Sequence, residues 1–166
     1  MEREISAGGV VVRQSTPGWN LAVIEPRKEP AAATSKGKRW QKLLLALPKG
    51  LVDAGEKPEQ TAVREVAEET GLTAALVVKL GNIKYVYLRS WGDRQRVFKI
   101  VSFYLLRYEA GTIDEIAADM RIEVKQALWI PLAGAELKLA YKGEKDMVLR
   151  AQKYLQEHPE FSQHQP

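Results

Sequence analysis

The chain has 166 residues, of which 45% are hydrophobic and 28% are charged, and this is the balance of one folded domain of ordinary size. This composition excludes a mainly disordered or fibrous chain. The absence of cysteine excludes disulfides, thiol nucleophiles and cysteine-ligated zinc. No apolar run approaches the roughly 20 residues that cross a bilayer, and the charged start indicates no signal peptide. We therefore expect a cytoplasmic protein without membrane contact.

The net charge is +4, from 25 Lys and Arg against 21 Asp and Glu, and it is unevenly distributed. Seven basic residues and a single acidic one, Glu29, lie between Arg27 and Lys49. A positive field of this kind would attract an anionic ligand. The alternative is a solvated loop without a binding role, and the sequence leaves both interpretations open.

Hydrophobic patterning predicts a mixture of strands and helices without internal repeats. In chain order, the predicted elements are strands at 5–12 and 21–24, an irregular loop at 26–37, a short apolar run at 43–47, a helix at about 58–70, strands at 75–80 and 84–88, a polar turn at 91–93, a long strand at 96–108, an acidic connection at 111–120, a strand at 127–131, a segment at 132–139 compatible with a helix, and an amphipathic C-terminal helix. We therefore predict an α+β class with a mixed sheet between helices. One domain is expected over residues 1–158, and residues 159–166 are expected to be a frayed tail.

The predicted helix at 58–70 carries an unusual group of acidic residues. Pro58 suits its first position and Gly71 suits the residue just past its end. Glu65, Glu68 and Glu69 stand at i, i+3 and i+4, so their carboxylates lie on one side of the helix. Like charges at this spacing destabilise a helix, and the helix dipole disfavours anions near the C-terminal end. Either this is an acidic face in solvent, or the carboxylates bind a hard cation such as Mg²⁺ or Mn²⁺.

The segment around this helix contains a spaced pattern of defined residues: Gly50, Glu56, Arg64, Glu65, Val66, Glu68, Glu69, Gly71 and Leu72. At every defined position, this pattern resembles the signature of the Nudix hydrolases. The segment 6–12 also resembles the first strand of that family. The segment Leu47–Gly50 and the stretch Glu123–Leu132 resemble the branch that hydrolyses diadenosine polyphosphates and diphosphoinositol polyphosphates. The resemblance covers roughly residues 4–141 and implies the Nudix fold, an α/β/α sandwich.

The resemblance also implies roles for individual residues. Glu65 and Glu69 would bind Mg²⁺ directly, Glu68 would bind a further ion directly or through water, and the carbonyl of Gly50 would add a ligand. Arg64 would pair with Glu56 and tie the loop to the helix without taking part in the chemistry. Glu123 would help to hold metal or water, or it is an ordinary surface glutamate.

The implied reaction is hydrolysis of a phosphoanhydride bond. A water molecule that the ion activates would attack phosphorus, and Glu65 or Glu68 would accept its proton. Lys49, Lys99 and Arg39 are candidates for binding phosphate, although each is equally compatible with a solvated surface position. Tyr85 would stack on a base or pack in the core. We assign no catalytic role to the two histidines.

A nucleoside di- or polyphosphate linked to another moiety is the expected substrate, with diadenosine tetraphosphate as the first choice. The alternatives are a nucleoside triphosphate, a nucleotide sugar, diphosphoinositol polyphosphate, a capped RNA 5′ end, and, in another functional class, a non-catalytic Nudix-fold regulator that binds nucleotide or RNA. A nucleic-acid partner is not expected, and the sequence does not determine the oligomeric state.

Overall fold

The computed structural model describes residues 2–27, 43–89, 92 and 94–164. The strands and helices in these ranges are β1 (Glu2–Ser15), β2 (Gly18–Pro26), β3 (Lys49–Leu51), α1 (Pro58–Thr70), β4 (Thr73–Leu88), β5 (Arg96–Ala110), β6 (Val124–Pro131) and α2 (Lys142–Glu157). Short 3-10 helices in the same ranges cover Ala118–Ile122, Ala135–Leu137 and Pro159–His164. The predicted loop at 26–37 and turn at 91–93 lie largely outside the described residues.

The strands of the described residues form one mixed sheet in the order β4-β5-β1-β2-β6, and β3 pairs with β1. Strand β1 runs parallel to β5, from Glu2 opposite Val97 to Val12 opposite Arg107. The other pairings, including the one that aligns Ala7 with Gly50, are antiparallel. Because β1 contacts β2, β3 and β5, it is the central strand of the sheet.

The sheet lies between the two helices. Side chains alternate between the two faces of a strand, so Ala7 and Val11 of β1 pack in one core cluster with Val66 of α1. Val10 of the same strand packs in the other cluster with Met147 of α2. The predicted α+β class with a mixed sheet between helices is therefore confirmed.

Local sequence determines the two ends of α1. Pro58 is the first helical residue, where its missing N–H costs no hydrogen bond. The side chain of Gln60 accepts the backbone N–H of Lys57 at 2.9 Å, which satisfies a donor at the helix start. Gly71 ends the helix with φ of 84°, a left-handed conformation that glycine adopts without steric cost. The predicted helix at 58–70 thus has the observed bounds.

Several strands are longer than predicted, such as β1, which covers Glu2–Ser15 where the pattern predicts 5–12, and two predicted segments differ more strongly. The strands predicted at 75–80 and 84–88 form one strand, β4, whose register shifts between Leu76 and Val78 and between Lys79 and Gly81. Such bulges interrupt the alternating pattern while the chain continues along its partner. The segment 132–139 contains only the short 3-10 helix Ala135–Leu137.

The C-terminal segment forms the 3-10 helix Pro159–His164, in which the ring of Phe161 lies 5.7 Å from that of Tyr154. The boundary at residue 158 stays a prediction. None of the helices in the described residues combines the length and apolar character needed to cross a bilayer.

Candidate active site

The three glutamates of α1 differ in their contact with solvent. The side chains of Glu65 and Glu68 are 12% and 38% exposed, whereas Glu69 is buried. The apolar stripe of the helix, which includes Val66, packs on the sheet. The acidic side of α1 is therefore partly buried and is not a face that lies open to solvent. We refer to this side, formed by Glu65, Glu68 and Glu69, as the acidic wall.

Arg64 connects this wall to the loop before the helix. Its Nε donates to Glu56 at 2.8 Å, and its Nη2 donates to the carbonyl of Leu51 at 3.0 Å. Its Nη1 donates to Glu65 at 2.9 Å and lies 3.1 Å from a carboxylate oxygen of Glu68. The hydrogen bonds from Arg64 and Thr61 hold the pKa of Glu56 at about 2, so this carboxylate is ionised at neutral pH.

Gly50 lies directly against the carboxyl group of Glu65. A Cβ atom at this position would collide with the Glu65 carboxylate. Gly50 belongs to β3, which pairs with β1 through Ala7. The sheet therefore brings the backbone of Gly50 to the acidic face of α1, and a residue with a side chain would prevent this approach.

The buried carboxylate of Glu69 accepts the backbone N–H of Lys49 at 3.0 Å. Burial raises the pKa of Glu69 to about 8, and the charges of Glu65 and Glu123 act in the same direction. Burial also raises the pKa of Glu65, with a further contribution from Glu68 and an opposing one from Arg64. The neighbouring positive groups therefore do not fully offset the burial of these acids.

Most of the residues predicted for the site line one cavity of about 740 Å³. Its lining includes Gly50, Glu65, Glu69, Glu123, Lys49 and Lys99. Glu123 is exposed and follows the 3-10 helix Ala118–Ile122, at the start of β6. Among the predicted site residues, the fold thus brings Lys49 and Glu123, which are 74 positions apart in the sequence, to one opening.

The side chains around this cavity suit a hard divalent cation. Their donors are carboxylate oxygens, which Mg²⁺ and Mn²⁺ prefer. An added cation would favour the ionised forms of Glu65 and Glu69, whose pKa values are raised mainly by burial. Over the described ranges, no three acidic or histidine side chains already stand as a ready-made metal site. Because Arg64 contacts both Glu65 and Glu68, a cation would compete with its guanidinium for these carboxylates.

The predicted phosphate-binding lysines both lie at the cavity, and each has an acidic partner. The Nζ atom of Lys49 lies 3.0 Å from Glu144, and that of Lys99 lies 3.7 Å from Glu4. Burial lowers the pKa of Lys99, and the charge of Lys49 adds to this effect. The two ammonium groups are therefore close enough to interact. Arg39 lies outside the described residues.

A second cavity, of about 390 Å³, adjoins the first and shares Lys49 and Tyr141 with it. Tyr85 lines this second cavity together with apolar side chains such as Ile83 and Phe103. Tyr85 is 42% exposed, so it is not a core residue. Tyr85 and Lys49 therefore line the same cavity, at the edge of the site.

Sequence reasoning missed Glu144. This glutamate of α2 is 3% exposed and contacts Leu47 and Lys49. A signal was present, because Glu144 precedes the buried residues Val148, Ala151 and Leu155 at helical spacing. A carboxylate in the apolar stripe of a helix indicates a buried, paired charge.

The chain is similar in sequence to known proteins. The chain is 37% identical over 143 residues to "Putative mutator protein MutT4" of Mycobacterium tuberculosis (strain CDC 1551 / Oshkosh), covering 86% of this chain and 52% of the relative. It is 48% identical over 62 residues to "Putative 8-oxo-dGTP diphosphatase" of Bacillus subtilis (strain 168), covering 37% of this chain and 39% of the relative. The chain thus spans about half the length of the first relative and less of the second.

The fold also resembles solved structures. The crystal structure of a C. elegans Ap4A hydrolase binary complex aligns with a TM-score of 0.64 and 17% identity, covering 93% of this chain and 98% of that chain. A family profile described as the NUDIX domain matches residues 3–151. The resemblance to the Nudix family noted in the sequence is thereby confirmed, and the chain belongs to the NUDIX domain family.

Proposed function

We propose that this chain is a Mg²⁺-dependent pyrophosphohydrolase, with Mn²⁺ as an alternative ion. Its substrate would be a nucleoside di- or polyphosphate linked to another moiety. The main support is the shared cavity, where the acids Glu65 and Glu69 face the same opening as Lys49 and Lys99. Carboxylates that hold a cation, next to ammonium groups that bind phosphate, are what the hydrolysis of a phosphoanhydride requires.

Each residue of the site has a distinct role in this proposal. Glu65, Glu69 and the carbonyl of Gly50 would hold a divalent cation, and Glu68 and Glu123 would hold a further ion or its water. When bound, the cation supplies charge neutralisation and lowers the pKa of water. Either Glu65 or Glu68 accepts the proton of the attacking water.

The substrate is held by the other side of the cavity. Lys49 and Lys99 neutralise phosphate oxygens, which are the groups that carry charge as the bond breaks. Tyr85 offers an aromatic face in the adjoining cavity, where a base would stack. Nucleotides of this kind are cytoplasmic metabolites, so we propose the cytoplasm as the location of the protein.

Diadenosine tetraphosphate is our first substrate candidate. The likeness to the C. elegans Ap4A hydrolase in fold and the aromatic cavity beside Lys49 both support it. A second candidate is oxidised dGTP, which the name of the B. subtilis relative supports. A screen with Mg²⁺ and product identification separates them. Cleavage of oxidised dGTP with diadenosine tetraphosphate left intact would overturn the first choice.

The catalytic proposal itself is tested by Glu65→Gln. We expect kcat to fall by about 10²- to 10⁴-fold, which is the usual contribution of a general base. Glu59→Gln is the matched control, because Glu59 lies in the first turn of the same helix. Full turnover by Glu65→Gln would remove Glu65 from both of its proposed roles. If the wild-type protein released no product from any nucleotide with Mg²⁺, the non-catalytic binding alternative would replace the proposal.

A further inference from the structure

Glu144 is a buried glutamate of α2, the helix that lies across the sheet from α1. Its Oε1 accepts the backbone N–H of Leu47 at 2.8 Å, and its Oε2 lies 3.0 Å from the Nζ of Lys49. Burial of a carboxylate is unfavourable unless hydrogen bonds and an opposite charge compensate for it. Both oxygens of Glu144 are engaged in this way, and both bonds go to one short segment of the chain.

That segment contacts the acidic wall of the site through its backbone. The N–H of Lys49 donates to Oε1 of Glu69 at 3.0 Å. The Nζ of the same lysine lies 5.4 Å from the centre of the Tyr141 ring and pairs with Glu144. Lys49 is therefore held at both ends, by α1 through its backbone and by α2 through its side chain.

The position of Lys49 explains why both attachments matter. The residue starts β3, and its side chain lines the wall shared by the two cavities. The two helices pack on opposite faces of the sheet, so Glu144 and Glu69 do not share a face. The continuous series of contacts runs from Glu144 through Leu47 and Lys49 to Glu69.

We propose that Glu144 is a positioning residue for the active site. It fixes the segment 47–49 so that the backbone N–H of Lys49 orients Glu69, and so that the ammonium group of Lys49 stays at the wall between the cavities. The inference rests on the proposed role of Glu69 as a ligand of the divalent cation. Partners that orient a metal ligand typically change metal affinity or activity by about 10- to 100-fold when they are removed.

The test compares Glu144→Gln with Asp146→Asn. The first variant keeps an acceptor for Leu47 but loses the charge opposite Lys49. The second makes the same chemical change on an exposed side chain of the same helix.

Mn²⁺ affinity is measured by electron paramagnetic resonance of the free ion, together with kcat, KM and the unfolding midpoint. We expect Glu144→Gln to weaken Mn²⁺ binding by about tenfold and to lower kcat to a similar extent. Asp146→Asn should match the wild type.

A purely structural role for Glu144 would give a different result. In that case Glu144→Gln would lower the unfolding midpoint but leave Mn²⁺ affinity and kcat at wild-type values, and the inference would be overturned. A wild-type protein that neither binds Mn²⁺ nor cleaves nucleotides would instead refute the proposed function. The two failures are therefore distinguishable.

The route through Lys49 has a test of its own. The double variant Lys49→Gln with Glu144→Gln replaces the ion pair by two neutral side chains, so no unpaired charge is left buried. Compared with Lys49→Gln alone, it should change Mn²⁺ affinity by less than about threefold, because contacting residues that act as one unit are not additive. A full tenfold effect of Glu144→Gln in the Lys49→Gln background would overturn this route. If Glu144→Gln alone fails to fold, the double variant is compared with the wild type instead: we expect Mn²⁺ affinity about tenfold weaker, and wild-type affinity in the double variant would overturn the inference.

Discussion

Nη1 of Arg64 lies 2.9 Å from Oε1 of Glu65, its immediate neighbour on α1, and 3.1 Å from Oε2 of Glu68. The same guanidinium holds Glu56 through Nε at 2.8 Å. One side chain thus ties the preceding loop to the helix and also balances two of the acids proposed to bind a cation. The planar group of arginine, with its fixed set of donors, is suited to both tasks.

Replacement of Arg64 by lysine should keep the charge but lose this geometry, because an ammonium group cannot bridge Glu56, Glu65 and Glu68 in the same arrangement. We expect Arg64→Lys to fold with a lower unfolding midpoint and to lose about 10- to 100-fold in kcat. Steady-state kinetics with saturating Mg²⁺ and a thermal melt measure the two effects. Wild-type kcat in Arg64→Lys would contradict the orienting role.

The close approach of Gly50 to Glu65 gives a second prediction. In Gly50→Ala, the new Cβ would displace the Glu65 carboxylate from its place against β3. We expect a loss of about 10- to 100-fold in kcat. Gly18→Ala is the control, since a Cβ there meets open space among the described residues. Equal kcat values for the two alanine variants would show that the contact at Gly50 has no effect on catalysis.

The raised pKa of Glu69 predicts how stability depends on pH in the absence of divalent cations. Because the pKa of Glu69 is about 8 in the folded protein and about 4.5 in the unfolded chain, the folded state binds more protons between these pH values. The contribution of Glu69 to stability is therefore fully present below about pH 4.5 and is lost as pH rises to about 8.

Urea unfolding in EDTA from pH 5 to 8 measures this effect. The free energy of unfolding should fall with a slope of up to about 1.4 kcal/mol per pH unit from Glu69. Glu69→Gln should lack this part of the slope, so the difference between the two proteins isolates it. Mg²⁺ should reduce the slope, because a bound cation favours the ionised carboxylate. Parallel curves for wild type and Glu69→Gln would refute the shifted pKa.

Lys99 should act in substrate binding. Its ammonium group lines the larger cavity and has only a 3.7 Å contact with Glu4, so a phosphate oxygen can compete for it. Charge-assisted hydrogen bonds contribute about 1.5–3 kcal/mol, so Lys99→Met should raise KM by roughly 10- to 100-fold. Lys84→Met, on the exposed edge strand β4, is the control. An unchanged KM in Lys99→Met would exclude Lys99 from the phosphate site.

The parts of the site that sequence predicts are those set by local spacing. Helical periodicity groups Glu65, Glu68 and Glu69, and the residue types Pro58 and Gly71 determine the two ends of the helix. These features depend on residues within one or two turns of each other, so a pattern reveals them without knowledge of the fold.

The contacts that sequence does not predict join distant segments. The Lys49–Glu144 pair spans 95 positions, and the contact of Lys49 with Glu69 depends on how β3 docks beside β1. Sequence patterning predicts two strands in place of β4 because the bulges of β4 break the alternation that a strand pattern requires. The degree of burial of Glu69 and Glu65 also comes from packing, and without it the shifted pKa values could not be foreseen.

The parallel pairing of β1 with β5 has a consequence for biosynthesis. Residues 2–12 pair with residues 97–107, so the central strand remains incomplete until residue 107 has left the ribosome. The acidic helix α1 is synthesised before that point. Its apolar side then lacks the completed sheet on which it packs in the folded protein. The packing of this helix on the completed sheet is therefore acquired late in synthesis, in keeping with the slow formation of contacts between distant positions.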